Sequence, residues 1–386
     1  YRFEVRDGKP LDVEKAKNGT KVSRGANFRC LLSGVPIKSD YIKAEGMAGR
    51  MGSRLMAIVA EGDRGRVYFS QIPEHAFVSQ EAKPKWVPEN PLPDDPRNFW
   101  TIPYGLGTFG DLFTPRQLVA LNTFSDLVGE AIEKVEQDAR TAFLSETPTD
   151  MSDLPLEKGG NGPRAYAEAV GTYLGLGIDR SSDYWSEICT WHTSGEKMRN
   201  TFGRQAIPMS WDFSEANPFS SSSGCFSGAV KWVKESVEMS PLSGFGFANQ
   251  FPAQKQVFSQ NKIVSTDPPY YDNIGYADLS DFFYLWLRHS LSDIFPHLFS
   301  TLATPKTEEL VATPYRHGNR EKAEKFFLGG MTLSLKNVLE QAHPGFPVSI
   351  YYAFKQSERD GDQGVSSTGW ETFLDALIRA GFSVLG

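Results

Sequence analysis

Cysteine is scarce: three residues, Cys30, Cys189 and Cys225, far apart and odd in number. That excludes a disulfide framework and any close Cys-x-x-Cys zinc knuckle, and it fits a reducing, cytoplasmic setting. Long apolar runs are missing as well. No window approaches the ~20 consecutive apolar residues of a membrane span, and no basic-then-apolar leader opens the chain, so no membrane partner is expected. The six histidines show no His-Glu-x-x-His or other ligand pairing. Walker loops and Gly-x-Ser-x-Gly elbows are absent too. A large excess of charge of one sign is lacking. Lys plus Arg is 40 against Asp plus Glu 47, a net charge of −7, which excludes a globally basic coat for nucleic acid and leaves room for a local basic groove.

The 386 residues allow two or three domains and ample core. With 40% hydrophobic and 23% charged residues the composition is that of ordered globular protein. The chain opens at Tyr1 and closes at Gly386 within an apolar run from Phe382; it is expected to be a piece of a longer protein.

Local patterning divides the chain into four stretches. Residues 1–82 read as a small β-rich accessory region, with a strand over Arg54–Glu61, a Gly62-Asp63-Arg64-Gly65 turn and a second strand over Arg66–Phe69. Residues 83–100 are proline-rich and aperiodic, and read as a linker. Residues 101–240 read as a mainly helical insertion suited to DNA recognition. Thr114-Pro115 starts a helix to about Ser145, and a second runs over Pro163–Leu174. Residues 241–386 alternate strands and helices: strand Lys262–Thr266, helix Asp278–Phe295, helix Glu321–Ala342, strand Val348–Phe354, helix Trp370–Ala380, and a last strand from Phe382. That order predicts an α/β fold with a parallel sheet.

Asp267-Pro268-Pro269-Tyr270 directly follows the strand ending at Thr266, where open α/β sheets place their ligands. The residue types suit one reaction. An exocyclic nucleobase amine is a poor nucleophile, because its lone pair is delocalised into the ring. Acceptors on both its hydrogens restore nucleophilicity. A carboxylate (Asp267) and the carbonyl of Pro268 supply two, Pro269 stiffens the loop, and Tyr270 offers a stacking surface.

Asp-Pro-Pro-Tyr resembles the motif of amino-group DNA methyltransferases. The longer run from Thr266 through Tyr271, Asp272, Asn273, Ile274 and Tyr276 to Trp286-Leu287-Arg288 resembles the large adenine-specific DNA methylases that carry a zinc ribbon. Gly49–Tyr68, Phe109–Gln117 and Asn200–Gln205 are similar to stretches of that family. The resemblance implies a Rossmann-like methyltransferase sheet, of which this chain holds the C-terminal half beside a mixed α+β accessory region. It implies S-adenosylmethionine as cofactor, DNA adenine N6 as target, base flipping, and roles for Asp267, Pro268, Pro269 and Tyr270 in catalysis. Tyr271, Asn273 and Tyr276 would contact substrate, and Asn249 and Thr266 the cofactor. Partner proteins of a defence system are a further expectation.

The family's glycine-rich cofactor loop is not found. Gly175-Leu176-Gly177 reads as the turn ending a helix and Gly105-Leu106-Gly107 as a loop, and the cofactor loop is expected upstream. Cys30 and Ser33 stand where a zinc knuckle would have two cysteines, and no metal is expected here. Basic residues cluster at Lys15, Lys17, Lys21, Arg24 and Arg29, and at Lys197, Arg199 and Arg204 near Trp191, His192 and Trp211. Pro314–Arg320 reads as a mobile loop. Methylation of cytosine N4, RNA or a protein amide, and a non-catalytic DNA-binding component, remain as alternatives.

Overall fold

The computed structural model describes residues 3–6, 8–143, 151–240, 246, 248–272, 274–353 and 368–385. Helices and small sheets are mixed, and the chain divides into two compact units: Tyr1–Met239 with Trp286–Ile294, and Ser240–Leu285 with Phe295–Gly386.

The first unit begins with α1 (Val13–Asn18), whose N-cap Asp12 accepts from the Lys15 amide at 2.9 Å. An antiparallel meander follows, β1 (Lys21–Ser23), β2 (Asn27–Arg29) and β3 (Pro36–Ile37). Then come α2 (Ser39–Met47), the hairpin β4 (Ala57–Gly62) and β5 (Gly65–Ser70), and α3 (Pro73–Ser79). The long α4 (Pro115–Phe143) starts on a reciprocal cap. The Gln117 side chain accepts from the Thr114 amide at 2.8 Å, and the Thr114 hydroxyl from the Gln117 amide at 3.2 Å. Its stripe buries Leu118, Leu121 and Val128; the expected end at Ser145 lies outside the described residues. After α4 come α5 (Pro163–Ser182), the hairpin β6 (Thr190–His192) and β7 (Lys197–Arg199), and α6 (Phe226–Met239).

Two sequence expectations fail in this unit. The proline-rich stretch is no linker. Its backbone is stitched to residues 107–110 (Phe109 N–H to Asn90 at 3.0 Å, Gly110 N–H to Pro88 at 2.8 Å), Trp86 stacks on His289, and Asp95 is 1% exposed. Prolines there set extended geometry without needing donors of their own. The second expectation was a helix end at Gly175-Leu176-Gly177, but α5 continues eight residues past Leu174 to Ser182. A Cβ on Gly175 would stand 2.7 Å from the Leu291 side chain. The glycine is there for close packing, which offsets its roughly 1 kcal/mol helix penalty.

The second unit contains β8 (Ser265–Thr266), α7 (Tyr276–Leu291, whose last turns belong to the first unit), α8 (Pro314–His317), α9 (Arg320–Gln341), β9 (Ser349–Ile350) and α10 (Thr368–Ala380). β8 and β9 are parallel, Ser265 opposite Ser349 and Thr266 opposite Ile350. Both strands are shorter than their patterns predict: only two register pairs form between them, which leaves residues 262–264 before β8 and 351–353 after β9 outside the ladder. Phe354 lies outside the described residues. Residues 382–385 form no strand; Phe382 packs on the core instead. The core is built from Tyr271, Phe327, Met331, Leu335, Phe373 and Leu377, with Ile350 and Tyr352 of the β9 segment against it.

Candidate active site

β8 is two residues long, and the Asp-Pro-Pro-Tyr motif leaves its carboxyl end. The Thr266 carbonyl accepts the Tyr351 amide at 2.9 Å, which fixes the last ladder position. Asp267 comes next and is exposed, while Pro268, Pro269 and Tyr270 are half-buried. The Asp267 carboxylate beside the Tyr270 hydroxyl raises the phenol above its ordinary pKa. Tyr270 meets two further rings edge to face: Tyr352 at 5.5 Å and Tyr276 at 6.4 Å between centroids. Burial raises the Tyr276 phenol, and raises that of Tyr352 to about 12. Carboxylate, proline carbonyl and tyrosine ring thus stand together beyond a parallel strand.

Tyr271 does not join them. It is 7% exposed, its ring meets Phe327 at 5.2 Å, and its amide donates to the Tyr352 hydroxyl at 3.0 Å. Burial raises its phenol, as does the hydrogen bond to Glu324. Its carbonyl accepts from Ala312 at 2.7 Å. Tyr271, expected as a substrate contact, is placed in the core, where it anchors the loop, while Tyr270 is the more exposed of the two. Asn273 lies outside the described residues. Asn249 is exposed, and no hydrogen bond among the described residues joins it to the motif. Thr266 is half-buried at the strand end.

Three supports went unseen in the sequence. Tyr352 caps the Tyr271 amide and touches Tyr270. Its alternation with Ile350 along one strand was the available signal. Glu309 accepts the Ala277 amide at 2.7 Å in the first turn of α7. Arg316 pairs with both Glu309 and Asp278, while the Tyr315 hydroxyl donates to Asp278. Pro314–Arg320, expected as a mobile loop, is therefore a helical turn pinned by buried charge.

Gly105 closes a turn with φ 89°, and Gly175 and Gly177 lie inside α5. Cys30 lies in the tight turn between β2 and β3, where its amide donates to Val35 and its carbonyl accepts from Gly34, both at 2.9 Å. No group of three or more His, Cys, Asp or Glu side chains stands where it would hold a metal ion among the described residues. None of the described helices is long and apolar enough to cross a membrane. The tryptophans near the second basic cluster are packing residues: Trp211 meets Phe28 and Tyr104, each at 5.1 Å, and Trp191 meets Tyr68 at 6.4 Å. Comparison with family models, with curated proteins and with solved structures finds no match to this chain.

Proposed function

We propose that this chain carries the target-amine side of an amino-group DNA methyltransferase acting on adenine N6, with S-adenosylmethionine as the methyl donor that the resemblance implies. The observation that carries the reading is the placement of Asp267: exposed, directly beyond a strand of a parallel pair, and three residues before a half-buried tyrosine. The β8–β9 pair with α7, α9 and α10 supports assigning it to part of a Rossmann-like sheet.

A flipped adenine leaves its stack at a cost of a few kcal/mol. Stacking on Tyr270 returns about 1–3 kcal/mol. The Asp267 carboxylate accepts one N–H of the amine, and the Pro268 carbonyl accepts the other. Both hydrogens are then held in place, the nitrogen lone pair is drawn out of the ring, and no covalent intermediate on the protein is required.

The test compares the full-length protein with its Asp267→Ala variant, each given labelled S-adenosylmethionine and mixed-sequence DNA, with the modified base identified by mass spectrometry. N6-methyladenine from the first and none from the second is expected. N4-methylcytosine, or label in RNA or protein alone, would move the target while keeping the chemistry. No transfer by either would overturn the reading. A second reading, a non-catalytic DNA-binding component of a defence system, is favoured by the lack of a glycine loop among the described residues. Binding of S-adenosylmethionine by the full-length protein speaks against it.

A further inference from the structure

We infer that the amino-terminal module formed by α1 and the β1–β3 meander is a phosphate-backbone interface for DNA, centred on Lys15, Lys17, Lys21 and Arg29. The inference rests on the DNA reading above and says where the polyanion is held.

Charge is the first observation. The chain as a whole is acidic, with 40 lysines and arginines against 47 aspartates and glutamates. Residues 8–50 reverse that balance, with nine basic residues (Lys9, Lys15, Lys17, Lys21, Arg24, Arg29, Lys38, Lys43, Arg50) against four acidic ones (Asp12, Glu14, Asp40, Glu45). Solvated faces of an acidic protein have no need of such a reversal.

Geometry is the second. The Gly19 amide bonds the Lys15 carbonyl at 2.9 Å and, with φ 56°, turns the chain from α1 into β1. The Arg29 amide bonds the Thr20 carbonyl at 2.8 Å, and Lys21 stands opposite Phe28. These bonds bring the end of α1, the start of β1 and the end of β2 together, so the four cations are carried on adjoining segments of one module. The module is fixed in its unit by Phe28, which meets Trp211 edge to face at 5.1 Å.

Pairing is the third. Lys15, Lys17, Lys21 and Arg29 are exposed, and none has a carboxylate partner among the described residues. The acids nearest in the chain are otherwise occupied: Asp12 caps α1, Glu14 accepts from Asn18, and Glu45 pairs with Arg50. The Arg29 guanidinium donates to the Gly34 carbonyl of its own turn. Unpaired cations held on a helix and a sheet, rather than on a loose tail, suit a polymer of regularly spaced phosphates.

The experiment titrates salt. Fluorescence anisotropy of a labelled mixed-sequence duplex is measured with the full-length protein and with the triple variant Lys15→Gln, Lys17→Gln, Lys21→Gln, whose sites are all exposed and outside the core. Each lost phosphate contact lowers the slope of log K against log salt by about 0.9, so the variant's slope is expected to be shallower by about 2–3. An unchanged slope and affinity in the triple variant would overturn the inference, as would wild-type binding to phosphatidylserine vesicles in preference to DNA. The two proposals fail separately. Methylation that survives the triple variant at unaltered DNA affinity sinks this one alone, and patch-dependent binding without any methyl transfer sinks the other.

Discussion

Replacing Arg316 by alanine is expected to destabilise the second unit by about 3 kcal/mol. The guanidinium lies between two carboxylates, with Nη2 at 2.6 Å from Oδ2 of Asp278 and Nη1 on Glu309. The side chains of Asp278, Glu309 and Arg316 are 2%, 10% and 11% exposed. Burial pulls the arginine down, but Glu309 and Asp278 outweigh it and hold it above its ordinary pKa. Removing one member of a buried ion pair costs about 3–5 kcal/mol, because the other charge is left without compensation. The lower end applies here. Asp278 keeps the Tyr315 hydroxyl, and Glu309 keeps the Ala277 amide. Urea unfolding followed by circular dichroism measures the loss. Arg316→Met combined with Asp278→Asn and Glu309→Gln, which removes all three charges, recovers most of the stability. A loss below about 1 kcal/mol would refute the reasoning.

Gly46→Ala places a Cβ 2.3 Å from the Tyr104 carbonyl oxygen, a backbone atom that cannot swing away, so thermal unfolding should fall by an amount equivalent to about 1–3 kcal/mol. Asp179 is pushed up to about 8 by burial and, less, by Asp183, and its Oδ1 has no hydrogen-bond partner. Its native carboxyl stays protonated while the unfolded one ionises near pH 4, so stability declines as pH rises from about 4 to 8. Asp179→Asn removes that decline, gaining roughly 2–4 kcal/mol at pH 7 and nothing near pH 3.5 in paired chemical melts. Tyr352→Phe strands the Tyr271 amide and should cost about 1–2 kcal/mol by the same measurement, with the ring contacts to Tyr270 retained.

How much of this was legible depended on how local the cause was. The start of α4 was readable because Thr114 and Gln117 cap each other three residues apart. The end of α5 was not, because the reason for Gly175 is a side chain 116 residues away, at Leu291. Composition marked Lys83–Arg97 as a linker, since nothing in a run of prolines reveals that residues 107–110 will supply the donors its carbonyls take. Helices α7, α9 and α10 could be placed within a few residues by their apolar stripes. The strands were overdrawn. Apolar runs promise ladders, but a ladder also needs a partner strand, and between β8 and β9 only two register pairs form.

The site divides along the same line. Asp267 and Tyr270 could be singled out because the motif and the strand before it are contiguous, and the proposed chemistry of a planar amine asks for those groups. The burial of Tyr271 could not be read, because residue type alone does not separate a tyrosine that faces solvent from one that closes a core. Direction does, and along a strand direction alternates. The same alternation, carried along β9, sets Ile350 and Tyr352 on one side, against the core and the motif. The loop's stiffness therefore has two sources. The prolines restrict the backbone of 268 and 269, and Tyr352 holds the residue that follows the motif through its amide. Beyond it, Glu309 holds the first turn of α7. An acceptor pair that must meet both hydrogens of one amine gains from being fixed at both ends before the base arrives, since whatever ordering is done in folding need not be done on binding.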